Sequence, residues 1–171
     1  MIHGRFQPFH NGHLDYLRGA AERSKELFVG ITNPDPGRVR PEPSDPTRHL
    51  PESNPWRYFE RLLMVKAAAA DLDLDLARLH VIPFPVNEAE LWQAYVPDGV
   101  THYLRVFSEW GTTKLRRLRE AGYDVVVLDE DTEKGISGAD VRAALRAGGD
   151  WEALVPPSVA VLIKKFERMP A

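Results

Sequence analysis

The chain has no cysteine, which excludes a disulfide framework, thiolate catalysis and cysteine-ligated zinc. It has no run approaching the ~18 apolar residues that a membrane helix needs, and its start lacks the pattern of a signal peptide. A cytoplasmic location without membrane partners is therefore expected. Nor is there any excess of positive charge: 22 Lys and Arg stand against 25 Asp and Glu, for a net charge of −3. Without a broad basic field, nucleic acid is not an expected partner. An anionic substrate must instead be held by a local cluster of cations or backbone amides.

What the sequence does contain suits one domain over residues 1–171, with 43% hydrophobic and 27% charged residues and enough chain to bury a core. Short apolar runs alternate with amphipathic stretches, which argues for βα units and a parallel sheet. Strands are expected at Met1–His3, Leu27–Thr32, Leu79–Pro83, Thr101–Phe107 and Tyr123–Leu128. Helices are expected from about Asn11, over Tyr58–Ala70, Leu91–Val96, Thr112–Ala121 and Ser137–Ala147, and from Pro156 to about Arg168. The expected fold is α/β, a single doubly wound, Rossmann-like parallel five-stranded sheet with helices on both faces. The run from Tyr123 to Leu128 is almost purely apolar and reads as central, buried on both faces. Only three residues precede the first motif, which makes the first strand a stub and leaves room for native residues upstream of Met1. Residues 33–55 are rich in Pro, Asp, Arg and Ser and read as a long irregular loop, a candidate substrate lid.

In doubly wound sheets ligands bind beyond the carboxyl ends of the strands, and two segments there are unusual. The first is "GRFQPFHNGH", between a strand stub and a helix start. Gly4 and Gly12 permit close backbone approach, and Pro8 stiffens the turn. His10 and His13 bracket the turn near helix amides that already favour an anion, and Arg5 adds a permanent cation. Two isolated histidines would as readily cap a helix or bind a metal. The dense packing of Gly, Arg, Pro and His after a strand favours an anion site. Phosphoryl-type transfer asks for little beyond positioning and charge stabilisation.

The second segment is "GISGADVRAAL". Ser137 and Asp140 make a capping box, which leaves Gly138 and Arg142 to be explained by an anion at the helix N-terminus.

"GRFQPFHNGHL" resembles the signature of the HxGH nucleotidyltransferase superfamily, in the form typical of archaeal-type nicotinamide mononucleotide (NMN) adenylyltransferases. The resemblance implies that His10 and His13 contact triphosphate oxygens and stabilise the transition state. It also implies that Arg5 and the turn around Gly4, Phe6, Gln7 and Gly12 hold phosphates. The second segment is similar to the superfamily motif "ISxTxxR", which implies phosphate contacts from Ser137, Gly138 and Arg142; Ala139 replaces the motif's Thr. "NPWRYFERLLMV" and "GGDWEALVPPSVAVLI" extend the resemblance over most of the chain. By that match Arg61 is a phosphate-facing cation or else part of a solvated helix face, and Asn54 lines the same region.

The substrate-reading elements depart from that family. Where a Ser-Gly-Asn element is usual, this chain has Ser108, Glu109 and Trp110. These suit a base or ribose pocket, or, for Trp110, simply core. Trp92 is placed to stack on a flat acceptor, but Ala89 stands where the family has an Asn, with Asn87 two residues further back. Arg38, Arg40, Arg48 and His49 in the long loop either fold over an anionic acceptor or are merely solvated.

The expected activity is nucleotidyl transfer from a nucleoside triphosphate, ATP or CTP, to a phosphate or phosphonate acceptor, with pyrophosphate released. ATP with NMN, and hence NAD biosynthesis, is the first expectation. CTP with a small phosphonate or phosphate is the alternative, and a non-catalytic nucleotide-binding sensor is the alternative of another class. Mg²⁺ is expected on the substrate's own oxygens, with no protein ligand, and assembly into a homo-oligomer is compatible with the sequence.

Overall fold

The structure, a computed structural model, describes residues 1–41, 43, 46–129 and 135–167. The expected end of the last helix at Arg168 lies outside the described residues. Three parallel strands, β1 (Ile2–Gly4), β2 (Leu27–Thr32) and β3 (Leu79–Phe84), form one sheet in that order. Ile2 lies opposite Val29, and Leu27 to Thr32 run in register with Leu79 to Phe84. β4 (Thr101–Arg105) and β5 (Asp124–Asp129) form a separate parallel pair.

The expected five-stranded sheet is thus two sheets of three and two strands. β1 is three residues long and is laddered to β2 along its length. The seam toward β4 is left to Met1, whose carbonyl accepts from Tyr103 N at 2.8 Å and whose amino group donates to Thr101 O at 2.6 Å. Side chains fasten the rest of it from α1 (Asn11–Ala21). The Tyr16 hydroxyl donates to Tyr103 O, and Arg105 Nη1 donates to Gly12 O at 3.0 Å. Tyr103 returns its hydroxyl to Arg23 O, just beyond the helix, at 3.1 Å.

The remaining helices are α2 (Tyr58–Ala70), α3 (Glu109–Glu120), α4 (Gly138–Ala147) and α5 (Pro157–Glu167). α3 starts before the expected Thr112 because the Ser108 hydroxyl caps it, accepting from Gly111 N. The helix expected at Leu91–Val96 is a 3₁₀ turn over Ala89–Ala94. Leu17, Met64, Val65, Val159 and Ile163 pack α1, α2 and α5 into one core. Met1, Phe84, Trp92, Leu104, Trp110 and Leu118 form a second core under α3. Each such buried side chain contributes about 1.5–3 kcal/mol.

β5 corrects a further expectation. It is paired on one side only among the described residues, and its Val126 is 43% exposed, so it is an edge strand. No helix among the described residues is long and apolar enough to cross a membrane.

Candidate active site

Where β1 and β4 end, a cleft of about 380 Å³ opens, at the position expected for a doubly wound topology. One wall is the turn from Gly4 to His10. Phe6 takes a left-handed backbone, φ 51°, a rare state for a bulky residue that the surroundings must hold in place. Its buried ring packs against Phe9 and the His13 ring, and a Cβ on Gly4 would lie 3.0 Å from it. The histidine rings stack with centroids 3.6 Å apart. His10 N donates to His13 Nδ1 at 3.3 Å, which leaves Nε2 as the protonated nitrogen of a neutral His13.

The turn is braced from both sides. The Gln7 side chain donates to Trp56 O at 2.8 Å and accepts from Trp56 N at 2.9 Å, tying the end of the long loop to the motif. From α4, Arg142 Nη1 donates to Gln7 O at 2.5 Å, and a Cβ on Gly138 would come within 2.6 Å of that oxygen. Glycine at 138 is therefore required by close approach of the two motifs. Ser137 performs the cap, accepting from Asp140 N at 3.2 Å and donating to its carboxylate at 2.6 Å.

The opposite wall is cationic. Arg105 comes from the end of β4, Lys114 from α3 and Arg48 from the long loop. The Arg48 guanidinium lies 4.9 Å from the centre of the Trp110 ring, itself flanked by Arg117 at 5.4 Å. Burial, reinforced by the Arg48 charge, pulls the Lys114 ammonium down to about 7. At the floor, burial holds His3 well below the usual imidazole range, and its neighbour His102 is pushed down to about 3 mainly by burial.

The cleft brings together Gly4, Arg5, Phe6, Gln7, His10, Gly12, His13, Gly138, Arg142, Ser108 and Trp110. Other expected site residues do not line it. Arg61 is 2% exposed and donates to the carbonyls of Arg5, Thr32 and Asn33 at 2.7–2.9 Å, clamping the ends of β1 and β2. Asn54 donates to Arg48 O and Leu50 O at 2.8 and 2.9 Å, shaping the long loop. Trp92 is 1% exposed in the second core, its indole donating to Pro85 O at 2.9 Å. Glu109 is exposed on the first turn of α3, outside the cleft lining. Of the loop cations, Arg40 is exposed and Arg38 pairs with Glu88 at 3.4 Å.

His3, Arg105 and Lys114 line the cleft without having been singled out in the sequence. Lys114 carried a signal: it lies one turn from Trp110 and one from Leu118, inside the apolar stripe of its helix. A charge in that stripe either escapes to solvent or serves a site.

The cytidylyltransferase-like family model matches residues 1–165. The chain belongs to that family. It is 44% identical over 165 residues to a phosphonoformate cytidylyltransferase of Streptomyces viridochromogenes, covering 96% of this chain and 90% of the relative. It is 31% identical to a nicotinamide-nucleotide adenylyltransferase of Thermococcus kodakarensis, covering 96% and 81%. This member of the family is accordingly a nucleotidyltransferase, as the sequence resemblance implies. Its fold matches a bifunctional NMN adenylyltransferase/ADP ribose pyrophosphatase of Francisella tularensis with a TM-score of 0.68 at 18% identity, over 99% of this chain. The chain spans about half the length of that protein, 49%.

Proposed function

We propose that the chain is a cytidylyltransferase joining CTP to a small phosphonate acceptor such as phosphonoformate. The observation that carries this reading is the character of the acceptor wall. Arg48, Arg105 and Lys114 gather in the cleft, while Trp92, the side chain expected to stack on a flat acceptor, is 1% exposed in the core. A compact polyanion suits such a wall better than a nicotinamide ring. Similarity to the phosphonoformate cytidylyltransferase supports the same choice.

In the proposed reaction a phosphonate oxygen attacks the α-phosphorus of CTP in line. A new P–O–P linkage forms as the bond between the α-phosphorus and the bridging oxygen breaks, and pyrophosphate leaves with that electron pair. Arg5, His10, His13 and Arg142 neutralise the charge that grows on the triphosphate, with His13 donating through Nε2. Among the described residues the cleft lining holds one carboxylate, Asp15, which pairs with Arg18 at 3.0 Å. That donor set fits Mg²⁺ carried on triphosphate oxygens and water, where it would offset phosphate charge.

The second reading, ATP with NMN, is favoured by the relatives named for that activity. A matrix of pyrophosphate release with CTP, ATP, GTP and UTP against phosphonoformate, NMN and nicotinate mononucleotide separates the two. CTP with phosphonoformate is expected to turn over fastest. ATP with NMN as the fastest pair would overturn the proposal, and no turnover with any pair would point to a nucleotide sensor.

A further inference from the structure

Beneath the phosphate-gripping turn, the cleft ends at a buried imidazole. His3 is 2% exposed, yet neither ring nitrogen has a hydrogen-bond partner among the described residues. Its neighbours are rings, Phe84 at 4.8 Å and His102 at 5.4 Å. A buried N–H without an acceptor is costly, and His3 faces the cleft, from which a bound group can supply one. Lys114 and Arg48 line the same cavity, and both charges act on His3, as Arg48 does on Lys114. Three donors thus line the cavity from β1, α3 and the long loop, alongside Arg5, His10, His13 and Arg142.

We propose that Lys114, Arg48 and His3 form a carboxylate subsite, which holds the far end of a small acceptor whose phosphonate attacks the nucleotide. This rests on the acceptor class proposed above. The subsite selects acceptors with two anionic heads a bond or two apart. Such an acceptor points one head at CTP and buries the other against the second core. The nucleotide itself does not touch these three side chains. Binding also returns to Lys114 the charge that burial opposes. Of the groups around it, Arg48 from the loop opposes its proton by charge, while the Lys114 charge in turn lowers His3 from β1 and His102 from β4, as does the Met1 amino group.

The test pairs Lys114→Met with two acceptors, phosphonoformate and methylphosphonate, in the presence of CTP. The KM for phosphonoformate is expected to rise roughly 100-fold, the scale of a lost charge-assisted pair. The KM for CTP and the turnover of methylphosphonate stay within about twofold, and Lys114→Arg restores most of the loss. Equal losses with both acceptors, or a raised KM for CTP, would overturn the subsite. Removing a half-buried charge should not unfold the protein, and thermal melts check this. A second readout is independent of turnover: calorimetric titration of nucleotide-free protein with phosphonoformate at pH 7.5, in buffers of different ionisation enthalpy. The wild type is expected to take up roughly 0.7 proton more than Lys114→Met, as an ammonium near pKa 7 becomes fully charged. No difference in uptake would overturn the subsite. Turnover of ATP with NMN alone would remove the cytidylyltransferase reading while leaving this uptake to decide the subsite.

Discussion

His13 stands at the first turn of α1 with its ring stacked on His10 and its Nδ1 already accepting from the backbone. The remaining N–H is a donor of fixed direction. His13→Ala is expected to lower kcat by about 10²–10³-fold, the range for one lost transition-state donor. The melting temperature should hardly change, and single-turnover pyrophosphate release reads the loss. Gly138 gives a different kind of prediction. Its Cβ would meet Gln7 O at 2.6 Å, an oxygen held by Arg142. Gly138→Ala must push the two motifs apart, so both kcat and the melting temperature are expected to fall, whereas Ala139→Ser should lower neither. An active, fully stable Gly138→Ala would show that the motifs do not touch.

Among the elements, the segments that were legible in the sequence are those whose parts are near one another along the chain. Residues 4–13 and 137–142 each hold their helix cap within a few residues, so residue types and spacing marked both segments and the family resemblance gave them roles. Arg61 was not legible in this way: a Glu-Arg pair on a helix does not reveal that its guanidinium passes between two strand ends. Burial and Arg5 lower its guanidinium to about 10, burial most, yet it stays charged at neutral pH. Arg61→Leu leaves three buried carbonyls without their donor and is expected to cost about 3–5 kcal/mol. Chemical denaturation measures it, and a cost below about 1 kcal/mol would contradict the clamp. Trp92 failed for the converse reason, since an aromatic after a strand reads alike whether it meets a ligand or fills a core. β5 misled because an apolar run records composition, not how many neighbours the strand finds.

For the molecule as a whole, the seam between the two sheets joins the turn at residues 4–10 to β4 and the cationic wall. Near it lie two imidazoles that folding keeps neutral. His102 is pushed down to about 3 from an ordinary value of 6.5, and His3 is lowered too. The unfolded chain then binds more protons between these values than the native one does. Their contribution to stability is therefore full above about pH 6.5 and falls as the pH drops toward 3. Lys114 acts in the same sense at higher pH, adding stability as the pH rises from about 7 to 10.5. His102→Phe is expected to flatten the acid limb of a plot of melting temperature against pH. An unchanged limb would place the acid sensitivity elsewhere.

The clamp made by Arg61 has one more effect. It fixes a permanent positive charge behind the turn at residues 4–10, satisfied by neutral carbonyls rather than by a carboxylate. Arg5, Arg142, Arg48, Arg105 and Lys114 face the same hollow, in a chain whose net charge is −3. A polyanion entering the cleft meets these cations together, so its binding is expected to stabilise the folded protein. Inorganic pyrophosphate, a product, should raise its melting temperature by more than the same ionic strength of chloride does.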